Sequence, residues 1–176
     1  MFTFVSGNLA LDFAGTVKAR ATTFDDALDA PAALADWLVA AELLDRAPDC
    51  DATLFDRAVR LREAAYRMAI AVSQAKPVAE ADRRLVNDCA KGELPAISLR
   101  LNGTIARSGS PDAALTAIAR SAIELLGSAA TIKECGRPEC TRLYVDASRG
   151  GTRRWCDMTI CGNRVKSAAF RARHAE

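Results

Sequence analysis

Two cysteine pairs with equal spacing frame the C-terminal part of the chain: Cys135-Gly-Arg-Pro-Glu-Cys140 and, after fifteen further residues, Cys156-Asp-Met-Thr-Ile-Cys161. Each pair spans a short turn, and the connecting segment is long enough for the second pair to fold back onto the first. Four converging thiolates are what tetrahedral metal coordination requires. The same residues could form two disulfides or hold an iron–sulfur cluster, although disulfides do not suit a reducing compartment. We expect Cys135, Cys140, Cys156 and Cys161 to bind one zinc ion.

The charge of the 176-residue chain changes sign where this segment begins. Residues 1–132 hold 14 Lys and Arg against 17 Asp and Glu, whereas residues 133–176 hold 10 against 5. The sequence therefore predicts two domains: a mildly acidic body, residues 1–130, and a basic, cysteine-rich domain, residues 131–176. Half of the residues are apolar and only 6% are aromatic, so the chain can bury a core and favours helices over a β-sandwich.

The body carries several helical patterns. The clearest runs from Leu54 to Val72, where apolar residues recur every three or four positions. Pro31 and Pro77 each stand where the first turn of a helix tolerates a missing N–H. We expect the second of these helices to end at Gly92.

A hairpin and a further helix follow in the body. Apolar and polar residues alternate over 96–101 and run into Asn102-Gly103, which predicts pairing with residues 104–107. Ser110-Pro111 then caps and starts a long helix that ends at Gly127. The predicted fold class is mainly α: a helical N-terminal domain with a small β-hairpin, plus a C-terminal zinc finger with four cysteine ligands.

Within the finger, the sequence predicts a β-hairpin followed by a helix. Arg142–Asp146 is a plausible short strand, and Thr152–Cys156 could pair with it across Gly150-Gly151. The residues after Cys161 have helical periodicity, with alanines on one face and cations elsewhere. Phe170 falls on the polar face of this helix, so we expect it to be buried against the body or a second subunit.

The finger resembles a known family. Arg154-Trp-Cys-Asp-Met158 and Cys161-Gly-Asn-Arg164 resemble the CGNR-type zinc finger, which takes its name from the second motif. Members of that family join the finger to an N-terminal ABATE domain, described as a "putative stress-induced transcription regulator". Leu11-Asp-Phe-Ala-Gly-Thr16 is similar to the Leu-Asp-Phe-x-Asn-Thr signature of that domain, with Gly15 where the family usually has Asn. The resemblance implies that the four cysteines are the metal ligands and that the protein regulates transcription.

We therefore expect a zinc-binding transcription regulator whose finger contacts DNA. A basic helix beside a metal site suits phosphate binding. The candidate nucleic-acid-binding residues are the cations of this helix and of the loop before it: Arg153, Arg154, Arg164, Lys166, Arg171 and Arg173. The alternative is a zinc-stabilised protein–protein interaction module that binds no nucleic acid. Four protein ligands leave no position for a reactive water, so we do not expect an enzyme.

The body is expected to sense an effector or to form a homodimer. Asn8 and Asp12 flank a short apolar segment and are the candidate contacts for a small-molecule effector. No apolar stretch approaches the roughly 18 residues that a membrane span needs, and no secretory signal is evident. We expect a cytoplasmic protein with no membrane partner.

Overall fold

The computed structural model describes residues 2–137 and 139–173, without the side chains of Ala169, Ala172 and Arg173. Within these residues the chain forms six α-helices, three antiparallel strand pairs and one π-helical turn. The helices are α1 (Leu9–Ala14), α2 (Pro31–Ala40), α3 (Ala52–Ser73), α4 (Glu80–Cys89), α5 (Pro111–Leu126) and α6 (Asn163–Arg173). The strands are β1 (Val17–Lys18), β2 (Asp25–Asp26), β3 (Ala96–Leu99), β4 (Ile105–Ser108), β5 (Ile132–Glu134) and β6 (Leu143–Val145), and the π-helical turn is Met158–Gly162.

Most helices of the body begin where local signals place them. Asp51 accepts a hydrogen bond from the Leu54 amide at 2.7 Å and caps α3, and Ser110 caps α5 through the Ala113 amide at 3.1 Å. These caps satisfy amides that the first turn leaves without an intrahelical partner. The start predicted at Pro77 is wrong, because the chain is still extended at Ala79 and α4 spans only Glu80–Cys89.

The body packs around α3, whose apolar face contacts α1, α2, α4 and α5. The core includes Phe13 and Trp37, whose ring centroids lie 4.8 Å apart, together with aliphatic residues from all five helices. Burial of this continuous apolar surface supplies the main driving force for folding the domain. Among the described residues, no helix combines the length and apolar composition needed to cross a membrane.

Of the two larger strand pairs, β3–β4 agrees with the sequence prediction, whereas the pairing of β6 differs from it. The hairpin predicted around Asn102-Gly103 is confirmed, with β3 antiparallel to β4. In the finger, β6 lies within the predicted strand Arg142–Asp146, but it pairs with β5 and not with Thr152–Cys156. The segment after β6 is instead folded into a loop by the Lys133 ammonium group, which contacts the Asp146 carboxylate at 2.6 Å and also the Gly151 carbonyl.

The finger packs directly on the body. Ile132 of β5 and Leu143 of β6 are buried against Leu11, Ala69 and Leu125, which come from α1, α3 and α5. The first cysteine pair therefore lies in the turn of a hairpin that is anchored to three helices. This anchoring fixes the metal centre relative to the body.

Candidate metal centre and basic helix

Four buried sulfur atoms meet at the end of the β5–β6 hairpin. Cys135 and Cys140 belong to the turn of the hairpin, Cys156 follows the loop, and Cys161 lies in the π-helical turn. The sulfur of Cys156 is 3.6 Å from that of Cys140 and 3.5 Å from that of Cys161, and all four sulfurs lie within 4.8 Å of one another. A disulfide would need about 2.05 Å, whereas a tetrahedron with metal–sulfur bonds near 2.3 Å needs edges of about 3.8 Å. The arrangement fits a tetrahedral metal ion.

The electrostatics of the cluster also call for a cation. Hydrogen bonding with Cys135 is the main cause that raises the pKa of the Cys140 thiol to about 12, and it likewise raises the pKa of Cys156. Burial among other sulfurs opposes ionisation further, because adjacent thiolates repel one another in a poorly hydrated site. A divalent cation removes this conflict by stabilising all four thiolates at once. With four protein ligands it would have a structural rather than a catalytic role.

The chain also supplies positive groups around the sulfurs. The Cys156 amide points at the sulfur of Cys135 at 3.5 Å, and the Arg137 guanidinium lies 3.8 Å from the sulfur of Cys161. Asp157 then accepts a hydrogen bond from the Ile160 amide at 2.7 Å and caps the turn that carries Cys161. These contacts orient the ligands and partly balance the net negative charge of a zinc centre with four thiolate ligands.

Comparison with known families agrees with this geometry. The sequence profile of the ABATE family, described as "Putative stress-induced transcription regulator", matches residues 7–129, more than half of the chain. The chain belongs to the ABATE family. The profile of the CGNR zinc finger matches residues 131–174, which contain all four cysteines, and the cofactor of the four-cysteine centre is zinc. No curated protein matches the chain.

Arg142 ties the finger to the ABATE domain, a role that the sequence did not reveal. Only 4% of this residue is exposed, and its guanidinium donates to the carbonyls of Thr3 and Gly15, each at 3.0 Å. Gly15 stands where the family usually has Asn, and a Cβ at this position would lie 3.2 Å from Nε of Arg142. The absence of a side chain at Gly15 thus leaves room for the buried guanidinium.

Arg153 was predicted to contact nucleic acid, but its guanidinium is used inside the protein. It donates to the carbonyls of Trp155 at 2.8 Å and Val5 at 3.1 Å, and also to the carbonyl of Cys156. It also lies over the ring of Tyr144, which is fully buried beside the metal ligands. These contacts make the half-buried Arg153 part of the finger's framework.

Asn8 and Asp12, the candidate effector contacts, have their polar groups engaged within the chain. The Asn8 side chain caps α1 by accepting from the Ala10 amide at 2.9 Å, and its amide nitrogen donates to the Ser121 hydroxyl at 2.9 Å. Asp12 is buried and accepts from the Val5 and Ser6 amides, both at 2.9 Å. Desolvation raises the pKa of Asp12 despite these hydrogen bonds. The geometry gives both residues a structural role.

The basic helix α6 follows the last zinc ligand directly. Arg164, Lys166 and Arg171 are exposed, and none of them forms an ion pair with the part of the chain that the structure describes. Arg154 is also exposed, with its guanidinium 5.3 Å from the Trp155 ring. The side chain of Arg173 lies outside the described residues.

The outer surface of α6 differs from the sequence prediction in one respect. Phe170 is 56% exposed in the single chain, so the expected burial against the body is wrong. Burial against a second subunit stays a prediction. Ala168, which belongs to the alanine face of this helix, is exposed as well. Apart from Val165, every side chain of α6 that the structure describes is exposed.

Proposed function

We propose that the protein is a zinc-dependent, DNA-binding transcription regulator in which α6 contacts the phosphate backbone. The observation that carries this proposal is the exposure of Arg164, Lys166 and Arg171 on α6, a helix with four cations and no carboxylate that begins two residues after the last zinc ligand. Apart from Val165, the described side chains of α6 are exposed, so this surface is available to a partner. Cys161 lies in the π-helical turn that leads into α6, so bound zinc anchors the start of the helix and places its cations beside the finger.

The ion pairs of the body support a nucleic acid as the partner. A mildly acidic body could neutralise a basic helix from within, which would leave few cations for DNA. Among the described residues, several exposed carboxylates, such as Glu80, Asp56 and Asp88, pair with cations of their own helices or of the residues just after them, and no ion pair joins a carboxylate to Arg164, Lys166 or Arg171. The cations of α6 remain available for the release of counterions from phosphates, which drives non-specific DNA binding.

An effector site in the cleft between the two domains would complete the regulator. A cavity of about 530 Å³ lies between the β1–β2 segment and the finger, and its lining includes Lys18, Arg137, Arg142 and Arg164 against Asp25, Glu139 and Asp157. The four cations of the lining are the groups that would bind an anionic ligand, and they also offset the negative charge of the zinc centre beside them. Inorganic phosphate titrated into the full chain should raise its melting temperature, and the shift should shrink in Lys18→Gln.

We also propose that the protein is a binding protein and not an enzyme, and that it acts in the cytoplasm. Four cysteine ligands fill the coordination sphere of zinc, and their reduced state suits a compartment that keeps thiols free.

Charge-neutral variants of α6 test DNA binding. Arg164 and Arg171 are seven residues apart and share one face of the helix. In Arg164→Gln/Arg171→Gln, the slope of log affinity against log salt should flatten by about 1.8, from about 0.9 per phosphate contact. Fluorescence anisotropy of a labelled random-sequence duplex measures this slope, and zinc content should not change.

A matched control separates a local contact from net charge. Arg60→Gln/Arg84→Gln removes the same charge from exposed positions of the body, at α3 and α4. This variant should keep the wild-type slope. Equal losses in both double variants would show that α6 is not the contact surface, and no binding by wild-type protein at low salt would favour the protein-interaction module instead.

A further inference from the structure

The β3–β4 hairpin exposes an unusual amount of aliphatic surface. Ile97 is 75% exposed, Leu99 is 77% exposed, and Leu101, directly after β3, is fully exposed. Leu99 lies opposite Ile105 in the register of the hairpin, so these side chains share one face. Monomeric proteins seldom leave such a cluster in water, and contiguous apolar patches of a few hundred Å² usually mark a binding surface.

The outer edge of β4 is already covered by the body. The Arg107 amide donates to the Asp45 carboxylate at 3.1 Å, and the Asp45 amide donates to the Arg107 carbonyl at 3.1 Å. The Ile105 carbonyl accepts from the Arg100 guanidinium at 2.9 Å. The outward amide and carbonyl of Arg107 and the outward carbonyl of Ile105 therefore have partners.

The outer edge of β3 is open. The Arg100 amide donates to the Thr104 carbonyl, so in an antiparallel ladder the backbone groups of Leu99 and then of Ile97 point away from β4. Within residues 2–137 and 139–173, no hydrogen bond reaches the outward amide or carbonyl of Ile97 or Leu99. An edge strand of this kind, without the charge or proline that would block pairing, is a template for another strand.

We propose that β3 is a dimerisation edge that pairs antiparallel with β3 of a second copy. With the two-fold axis at Ser98, Ile97 lies opposite Leu99 of the second copy, and the two residues exchange both outward hydrogen bonds. The apolar face then continues across the joint, giving one four-stranded sheet. A two-fold strand pair is self-complementary, because the same edge serves both subunits.

Two features favour a second copy as the partner of this edge: the strand carries no charge, and the covered β4 edge limits the assembly to two chains. Ala96–Leu99 carries no charge, and the nearest cations, Arg100 and Arg107, are held by Asp45 and Glu42. Two copies therefore approach without unpaired like charges at the joint. Because the β4 edges are covered, pairing stops at two chains. At the joint, Ile97 packs beside Leu99 of the second copy, and this cross-strand contact buries part of the exposed aliphatic surface. The dimer does not depend on DNA binding, because β3 belongs to the ABATE domain and not to the finger.

Sedimentation of the zinc-loaded full chain tests the dimer. Wild-type protein at micromolar concentrations should sediment at twice 18.8 kDa, and Leu99→Lys should sediment at 18.8 kDa. Val72→Lys makes the same kind of change at an exposed position of α3 and should remain dimeric. Both substitutions are at exposed positions, and circular dichroism checks that the fold is kept. A monomeric wild-type chain, or a dimer that survives Leu99→Lys, would overturn the proposal.

A cross-link tests the register. At the two-fold axis the two Ser98 residues form a non-hydrogen-bonded pair with Cα atoms about 4.5 Å apart, which is within the range that a disulfide spans. Ser98→Cys should give a covalent dimer under mild oxidation, whereas Ser108→Cys, on the neighbouring strand, should not. Equal cross-linking of both variants would contradict the β3 edge.

Discussion

Replacing Arg142 by methionine should weaken the attachment of the finger to the body. The guanidinium is buried and donates to the Thr3 and Gly15 carbonyls, both at 3.0 Å. A hydrogen bond to a charged group contributes about 1.5–3 kcal/mol, so two such bonds amount to about 3–6 kcal/mol. Part of this loss of stability is offset, because the methionine variant no longer buries a charged group. We expect the free energy of unfolding to fall by about 2–4 kcal/mol.

Urea denaturation followed by circular dichroism measures this change in Arg142→Met. Arg149→Met is the matched control, because Arg149 is exposed in the loop of the finger and the chemical change is the same. Zinc should stay bound in both variants, since the guanidinium of Arg142 contacts no sulfur. The pKa of Asp12 should rise further, because the charge of Arg142 lowers it in the native protein. A loss below about 0.5 kcal/mol, typical of surface positions, would refute the structural role of Arg142.

Three further predictions concern the zinc centre and two ion-pair networks. Cys161→Ser should lose zinc, measured by elemental analysis, and unfold the finger while the helical signal of the body largely remains. Arg62→Met should lower the free energy of unfolding by about 3–5 kcal/mol in urea titrations, because it leaves Asp26, now 2.7 Å from the buried Arg62 guanidinium, without its partner. The Glu80 carboxylate should titrate at about 2, since hydrogen bonds from Arg83 and a neighbouring arginine lower its pKa. The stabilisation that ionised Glu80 provides is present above pH 4.5 and is lost as the pH falls through 2. NMR titration of Arg83→Gln should show a higher pKa for the Glu80 carboxyl.

The sequence predicted those parts of the fold that depend on local signals. The start of α5 and the turn at Asn102-Gly103 were predicted correctly because a cap and a tight turn are specified by neighbouring residues. The strand partner of β6 was not predicted correctly, because β5 has only three residues and such a short strand shows no apolar periodicity. The contact between Lys133 and Asp146 that shapes the following loop joins residues thirteen positions apart.

The metal centre was visible in the sequence, whereas the roles of individual arginines were not. Four cysteines at the observed spacing limit the possible chemistry, because few centres use four thiolates. Arg142, Arg153 and Arg164 all looked alike as cations near the zinc ligands. Which of them is buried against carbonyls and which faces solvent depends on how the finger packs on the body, and tertiary packing of this kind leaves no local signature.

The salt dependence of DNA binding by the zinc-loaded wild-type chain tests the central claim most directly. Contact with about four phosphates through Arg164, Lys166, Arg171 and Arg173 predicts a slope of log affinity against log salt near −3.6 on a random-sequence duplex. Affinity independent of salt, or no binding at about 50 mM salt where such contacts are strong, would contradict the account.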